Sequence, residues 1–271
     1  EAVEVLEGTV IVGPRVCFGC KGMKGVVIGE SVKKIGEQAF RRCESLTSLK
    51  LGMDVRSIGK GAFAKCSNVR SIRMWSLERV DFGEGVFAWC DALECFVVPN
   101  ETRELAQNMF RECASLKRVV LNGALQRIGT CCFYSCKKLV ECDFGRAPWL
   151  ESIGLYSFYE TNLQVVDLTE CFVRDIVEGA FHTMRNMHTL LLPVTTEKIG
   201  EGMCTDCEEL RGISLPALVK KVPHWCFSGC AKLESVTIEG QKVDITPGAF
   251  SGCKQIQRTQ LAGNTIQELL A

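Results

Sequence analysis

Three histidines, seven prolines and no excess of either charge leave this chain short of the residues that much protein chemistry draws on. Lysine plus arginine and aspartate plus glutamate each number 32, so the formal net charge is zero and the pI about 7.0. Nucleic-acid and acidic-membrane surfaces draw on a basic excess, so no nucleic-acid partner is expected. The longest apolar runs fall well short of the roughly 20 residues of a membrane helix, so no membrane insertion is expected either. Residues 1–16 carry Glu1, Glu4 and Glu7, unlike a secretory signal. No glycine-rich phosphate loop, catalytic carboxylate pair or acyl-transfer motif occurs. A cysteine nucleophile needs a histidine partner, and no spacing supplies one. The reading is therefore no enzyme, no cofactor and no metal. No Gly/Ser linker or charge run interrupts the chain, which points to one domain.

What the chain has is repetition. An aromatic anchor recurs as Phe40, Phe63, Phe87, Phe110, Phe133, Phe158, Phe181, then Cys204 in its place, then Phe227 and Phe250. The successive intervals are 23, 24, 23, 23, 25, 23, 23, 23 and 23 residues. Cysteine follows the anchor by three at Cys43, Cys66, Cys90, Cys113, Cys136, Cys207, Cys230 and Cys253. Apolar residues follow at six, nine and eleven, as in Leu46-x-x-Leu49-x-Leu51. A unit this short cannot bury its own apolar face, so neighbours stack into a continuous core. This is a solenoid, and its period and L-x-x-L-x-L segment carry the leucine-rich repeat signature.

Each unit reads in three parts. The Leu-x-x-Leu-x-Leu segment is a short strand, stacked in parallel on its neighbours. A second apolar pair follows, as in Val55-x-x-Ile58 and Leu125-x-x-Ile128. Then Gly-x-x-Ala-Phe-x-x-Cys, with apolar residues three and four apart, predicts one or two helical turns. The glycine (Gly36, Gly59, Gly129, Gly154, Gly200) marks the passage from extended to helical chain, and Pro99, Pro193 and Pro216 sit at strand ends.

Residues 1–16 read as a strand region covering the first unit, 17–262 as repeats and 263–271 as a closing tail with a short helix over 265–271. A degenerate first unit takes Phe18 as anchor, and the unit Phe158–Leu168 is also one residue short, with Thr161 at the cysteine position; its packing is expected to be looser. Thirteen of the seventeen cysteines fall on frame positions, where a free thiol acts as a small buried hydrophobe. Cys17 and Cys132 are read at the alanine before the anchor, as is Cys226. The odd total fits a reduced chain, and this favours an intracellular location. Cys17-x-x-Cys20 and Cys204-x-x-Cys207 have zinc-ligand spacing, but lie eight repeats apart in a rod. In the cluster from His224 to Cys230 the cysteines occupy core slots, which leaves His224 alone.

The run Ile-Gly-x-x-Ala-Phe-x-x-Cys-x-x-Leu-x-x-Leu-x-Leu, plainest at residues 35–51, 58–74 and 128–144, resembles the BspA-like (Treponema-type) leucine-rich repeat family over roughly residues 17–262. The resemblance implies an α/β fold: a curved, right-handed solenoid of about eleven 23-residue units with a parallel sheet on the concave face. Family members include surface proteins of bacteria and parasitic protists that act in adhesion, which makes a cell-surface adhesin the alternative reading. No residue motif carries that activity across.

Function then rests on surfaces. Alternate side chains of a strand face opposite ways, so residues between the last two core positions point outward. Lys50, Arg73, Trp75 and Arg118 give this row a basic start. Val97 and Val120 are apolar, and Glu141, Asp143 and Asp167 are acidic. Tryptophan and arginine dominate interface hot spots, so these nine residues form the candidate binding strip for a protein partner. The reading is a protein–protein interaction scaffold or structural subunit.

Overall fold

Every second residue of Ser48-Leu49-Lys50-Leu51 is buried, and the same alternation recurs from unit to unit. The computed structural model describes residues 2–5, 7–74, 78–256 and 258–261, the last four as backbone only. It shows a β-solenoid of about ten turns in which all pairing is parallel. One face stacks the longer strands: Ala2–Val5, Gly25–Ile28, Ser48–Leu51 and Ser71–Met74, then Cys95–Val97, Arg118–Val120 and Glu141–Cys142. Val165–Asp167 with Thr189–Leu191, and Gly212–Leu215 with Ser235–Ile238 and Arg258–Leu261, continue it.

The second apolar pair of each unit builds a sheet of its own, which the sequence reading did not foresee. Two-residue strands such as Lys34–Ile35, Ser57–Ile58, Arg127–Ile128 and Ser152–Ile153 stack with Ile35, Ile58, Ile128 and Ile153 buried. The described residues among the first sixteen follow the same plan. Ala2–Val5 pairs in register with Gly25–Ile28, and Ile11–Val12 with Lys34–Ile35, each 23 residues on.

Among the described residues the predicted helical turns after each glycine do not form, so the α part of the expected α/β class is corrected there; the short helix expected over 265–271 lies outside the described residues. Among the described residues the sole helical element is a single 3-10 turn, Phe144–Arg146. The reason lies two residues either side of each anchor, where the backbone is left-handed: Gln38 (φ 53°) and Arg42 (φ 61°) flank Phe40. A right-handed helix cannot pass through such residues. Short i→i+3 turns replace it, as where the Cys43 N–H donates to Phe40 O (3.2 Å). Alternate amides turn outward to the next coil instead. Gln38, Phe40 and Arg42 N–H donate to the carbonyls of Lys60, Ala62 and Ala64 at 2.9, 2.8 and 2.9 Å. This third ladder satisfies the buried backbone groups that a helix would have paired internally.

The core runs the length of the stack. Phe40 lies parallel to Phe63 with ring centroids 5.2 Å apart, and the stack continues through Phe87, Phe110, Phe133 and Phe158 to Phe181. Cys204 interrupts it before Phe227 and Phe250 resume. Beside it, the frame thiols from Cys43 onward donate to the anchor carbonyl of the preceding coil: Cys66 to Phe40, Cys113 to Phe87, Cys136 to Phe110, at 3.1, 3.2 and 3.0 Å.

The frame corrects the first unit. Cys17 N–H donates to Ala39 O as Phe40 N–H does to Ala62 O, and Cys43 donates its thiol to Cys17 O. Cys17 is therefore the anchor, not Phe18 and not the preceding alanine position; Cys20 takes the frame-cysteine position, and the unit is not short. The unit at Phe158 is short, yet Leu163, Val166 and Leu168 are all buried. The hydroxyl of Thr161, at its cysteine position, is buried without a hydrogen-bond partner among the described residues, as are those of Thr102 and Ser157.

The glycine before each turn answers to packing rather than to a change of conformation. A Cβ on Gly59 would lie 2.7 Å from Glu37 N and 2.8 Å from Gly36 C, inside the preceding coil's backbone. Gly13 holds the same frame position in the first coil described, and a Cβ there meets nothing within 4 Å among the described residues.

Candidate interaction surface

The outer row of the long-strand face is assembled as the alternation requires. Val27 stands beside Lys50, Lys50 beside Arg73, and Val97 beside Val120 in direct register. Lys50, Arg73 and Val97 are exposed, and Val120 is half-buried. Trp75 lies outside the described residues.

The basic-to-acidic progression is partly cancelled in three dimensions. Arg118 faces Glu141 across neighbouring strands and pairs with it, Nε to Oε2 at 3.2 Å. Asp143 follows the strand Glu141–Cys142, precedes the 3-10 turn and pairs with Arg146 at 3.3 Å. Both pairs are exposed, where an ion pair contributes about 0–1 kcal/mol. Lys50 and Arg73 form no ion pair among the described residues, so positive charge remains at that end. Asp167 accepts the Thr169 N–H (3.0 Å) and hydroxyl (2.7 Å), which hold its carboxyl below the usual carboxylate range.

A groove opens over the second half of the strip. Arg118, Val120, Glu141 and Asp143 line a groove of about 490 Å³ together with Val140, Arg146 and Val165. Asp167 borders a smaller hollow of about 260 Å³ beside Phe144 and Gly145. The strip thus brings four of its residues into one groove, while Lys50, Arg73 and Val97 lie outside that groove on earlier strands. Val140, Val165 and Arg146 were missed by sequence reasoning. The interval of 25 residues between Phe133 and Phe158 was the available signal, because its extra length falls in the corner that carries Arg146.

Among the described residues no three His, Cys, Asp or Glu side chains gather as a ligand set. His224 Nδ1 donates to Pro247 O at 2.9 Å, and Cys230 donates to Cys204 O. No helix among the described residues is long and apolar enough to cross a membrane.

The family profile described as BspA type Leucine rich repeat region matches residues 11–140 and 174–269 in six copies. The chain belongs to the BspA-type leucine-rich repeat family. Among curated proteins none matches it. A leucine-rich repeat protein from Eubacterium ventriosum has a similar structure, at 22% identity and a TM-score of 0.54, covering 88% of this chain and 73% of that one. A leucine rich cell surface protein from Faecalibacterium prausnitzii aligns at 18% identity and a TM-score of 0.44, over 97% of this chain and 85% of that one. A leucine-rich repeat protein from Bacteroides ovatus aligns at 20% identity and 0.47, over 93% and 82%. The gap in the BspA-type match, residues 141–173, contains the long corner, the short unit and much of the groove lining.

Proposed function

We propose that this BspA-type chain is a non-enzymatic protein-interaction scaffold that seats a protein partner across its long-strand face. The reading takes the solenoid as right-handed with that face concave, as the family resemblance implies. The groove bordered by Val120, Val140 and Val165, where the repeat departs from its period, carries the reading. Val97, Val165 and Leu191 are exposed on the same face and extend an apolar track along it. Scattered exposed valines are ordinary; valines gathered along a groove between charged rims have the anatomy of an interface, an apolar centre within a polar border. The partner should present an apolar ridge to the valines and an acidic group toward Lys50 and Arg73.

The test uses the protein that co-purifies with the native chain. Val165→Asp places a charge against the apolar ridge and should weaken affinity by about 30-fold, the effect of losing a hot-spot contact. Arg73→Glu should slow association and alter its salt dependence, because rim charge acts mainly on encounter. Both side chains are exposed, so thermal stability should hardly move. Unchanged affinity in both variants would refute this placement of the partner.

A further inference from the structure

The corners joining long to short strands are spare along most of the solenoid. Between Leu121 and Leu125 the chain turns through Asn122-Gly123-Ala124. The next corner, Phe144 to Leu150, has two more residues and contains the 3-10 turn Phe144–Arg146. The longer path brings Trp149 to the surface, where it is 63% exposed. It lines a cavity of about 480 Å³ with Asn100, Glu101, Arg103, Asn122 and Gln126.

The floor of this cavity is fixed and its rim is uncommitted. Asn122 is buried and fully engaged: its amide donates to Pro99 O (2.5 Å) and Thr102 O (3.2 Å), and its carbonyl accepts the Ala124 N–H (2.8 Å). Gly123 leaves the approach open, since a Cβ there would meet only Arg146 O at 3.9 Å. Elsewhere, charged side chains pair across coils, as in Lys60–Glu84, Lys117–Glu94 and Lys232–Glu209. At the rim, the side chains of Asn100, Glu101, Arg103 and Gln126 make no hydrogen bond or ion pair among the described residues. Four planar polar groups with no protein partner among the described residues therefore surround one exposed indole.

We propose that this corner is a saccharide-binding site that takes a pyranose ring against Trp149. A pyranose has an apolar C–H face, which suits the flat amphipathic indole. Its edge carries hydroxyls that each donate and accept, matching the amides of Asn100 and Gln126, the acceptor Glu101 and the donor Arg103. The two charged groups have opposite signs, so the rim does not select for a net ligand charge. The cavity falls in the size range of small-molecule sites, and the bonds of Asn122 hold its floor before any ligand arrives, which lowers the cost of binding. The site lies apart from the long-strand groove; its lining residues and those of the groove do not overlap.

The test is NMR of the full chain labelled at its tryptophan indoles, titrated with the methyl pyranosides of glucose, galactose, mannose and N-acetylglucosamine. At least one should shift the Trp149 indole signal saturably in the millimolar range, leaving that of Trp225 in place. Gln126→Ala, which removes an unengaged rim amide, should weaken that binding about tenfold, while Trp149→Ala abolishes it without lowering the melting temperature. The proposal is overturned if no pyranoside shifts the Trp149 signal, or if saturable binding survives Trp149→Ala.

Discussion

Twelve of the seventeen thiols are buried, and the frame thiols mostly share one hydrogen-bonding role. The anchor carbonyl already accepts the amide three residues on, and the thiol of the next coil fills its second lone pair. Serine would carry a stronger polar group into the same apolar space, and alanine would leave the lone pair empty. Burial pushes the Cys90 and Cys136 thiols up to about 12, against about 8.5 in an unfolded chain. Below about pH 8.5 both states keep the proton and stability is full. Between there and about pH 12 the unfolded chain releases protons that the folded chain retains, so stability falls as pH rises, by up to about 1.4 kcal/mol per pH unit for each such thiol. The urea midpoint under reducing conditions should therefore hold up to about pH 8.5 and drop steeply from there toward about pH 12. A flat profile would show that the thiols ionise as readily folded as unfolded. The spacing after each anchor located these cysteines in the sequence. Their carbonyl acceptors lie 26 residues back in another coil, so they were not legible.

Between elements, stacking distance is the controlling quantity. Gly36, Gly59, Gly129, Gly154 and Gly200 bring their coil's backbone too close to the previous coil to leave room for a Cβ. Ala106, Val177, Pro223 and Thr246 occupy the same frame position in other coils, so the limit belongs to the local path. Gly59→Ala should cost about 2 kcal/mol or more, because the nearest atoms are backbone and cannot rotate aside. Gly13→Ala makes the same chemical change in the first coil, where the added methyl meets nothing, and should leave stability unchanged within about 0.5 kcal/mol. Denaturant unfolding of both variants checks this, and equal losses would mean that glycine acts through chain flexibility rather than contact. The same closeness explains why a helix was the wrong expectation. Apolar residues three and four apart suit either a helix or a tight turn, and only the approach of the next coil's carbonyls selects the left-handed residues at Gln38 and Arg42.

For the whole molecule, contacts between neighbouring coils replace a single closed core. Removing residues 107–129 deletes one 23-residue period and joins Ala106 to Thr130 in frame. The shortened chain should fold, with Phe87 stacked on Phe133 and an unfolding enthalpy about 16 kcal/mol lower near 60 °C, as the lost length dictates. Calorimetry of the deletion checks this; a chain that fails to fold would show that the stack depends on contacts beyond nearest neighbours. By itself the sequence determined the solenoid, its period, its inward residues and its outward row, because each follows from an apolar position repeated in one chain direction. The tertiary structure decided the second sheet, the third backbone ladder and the identity of Cys17 as an anchor. It also decided that Arg118 and Glu141 neutralise each other, and that the long corner carries Arg146 to one groove and Trp149 to another. These depend on what lies one coil away in space, about 23 residues distant in sequence, and the periodic pattern says nothing of how a departure from it will be accommodated.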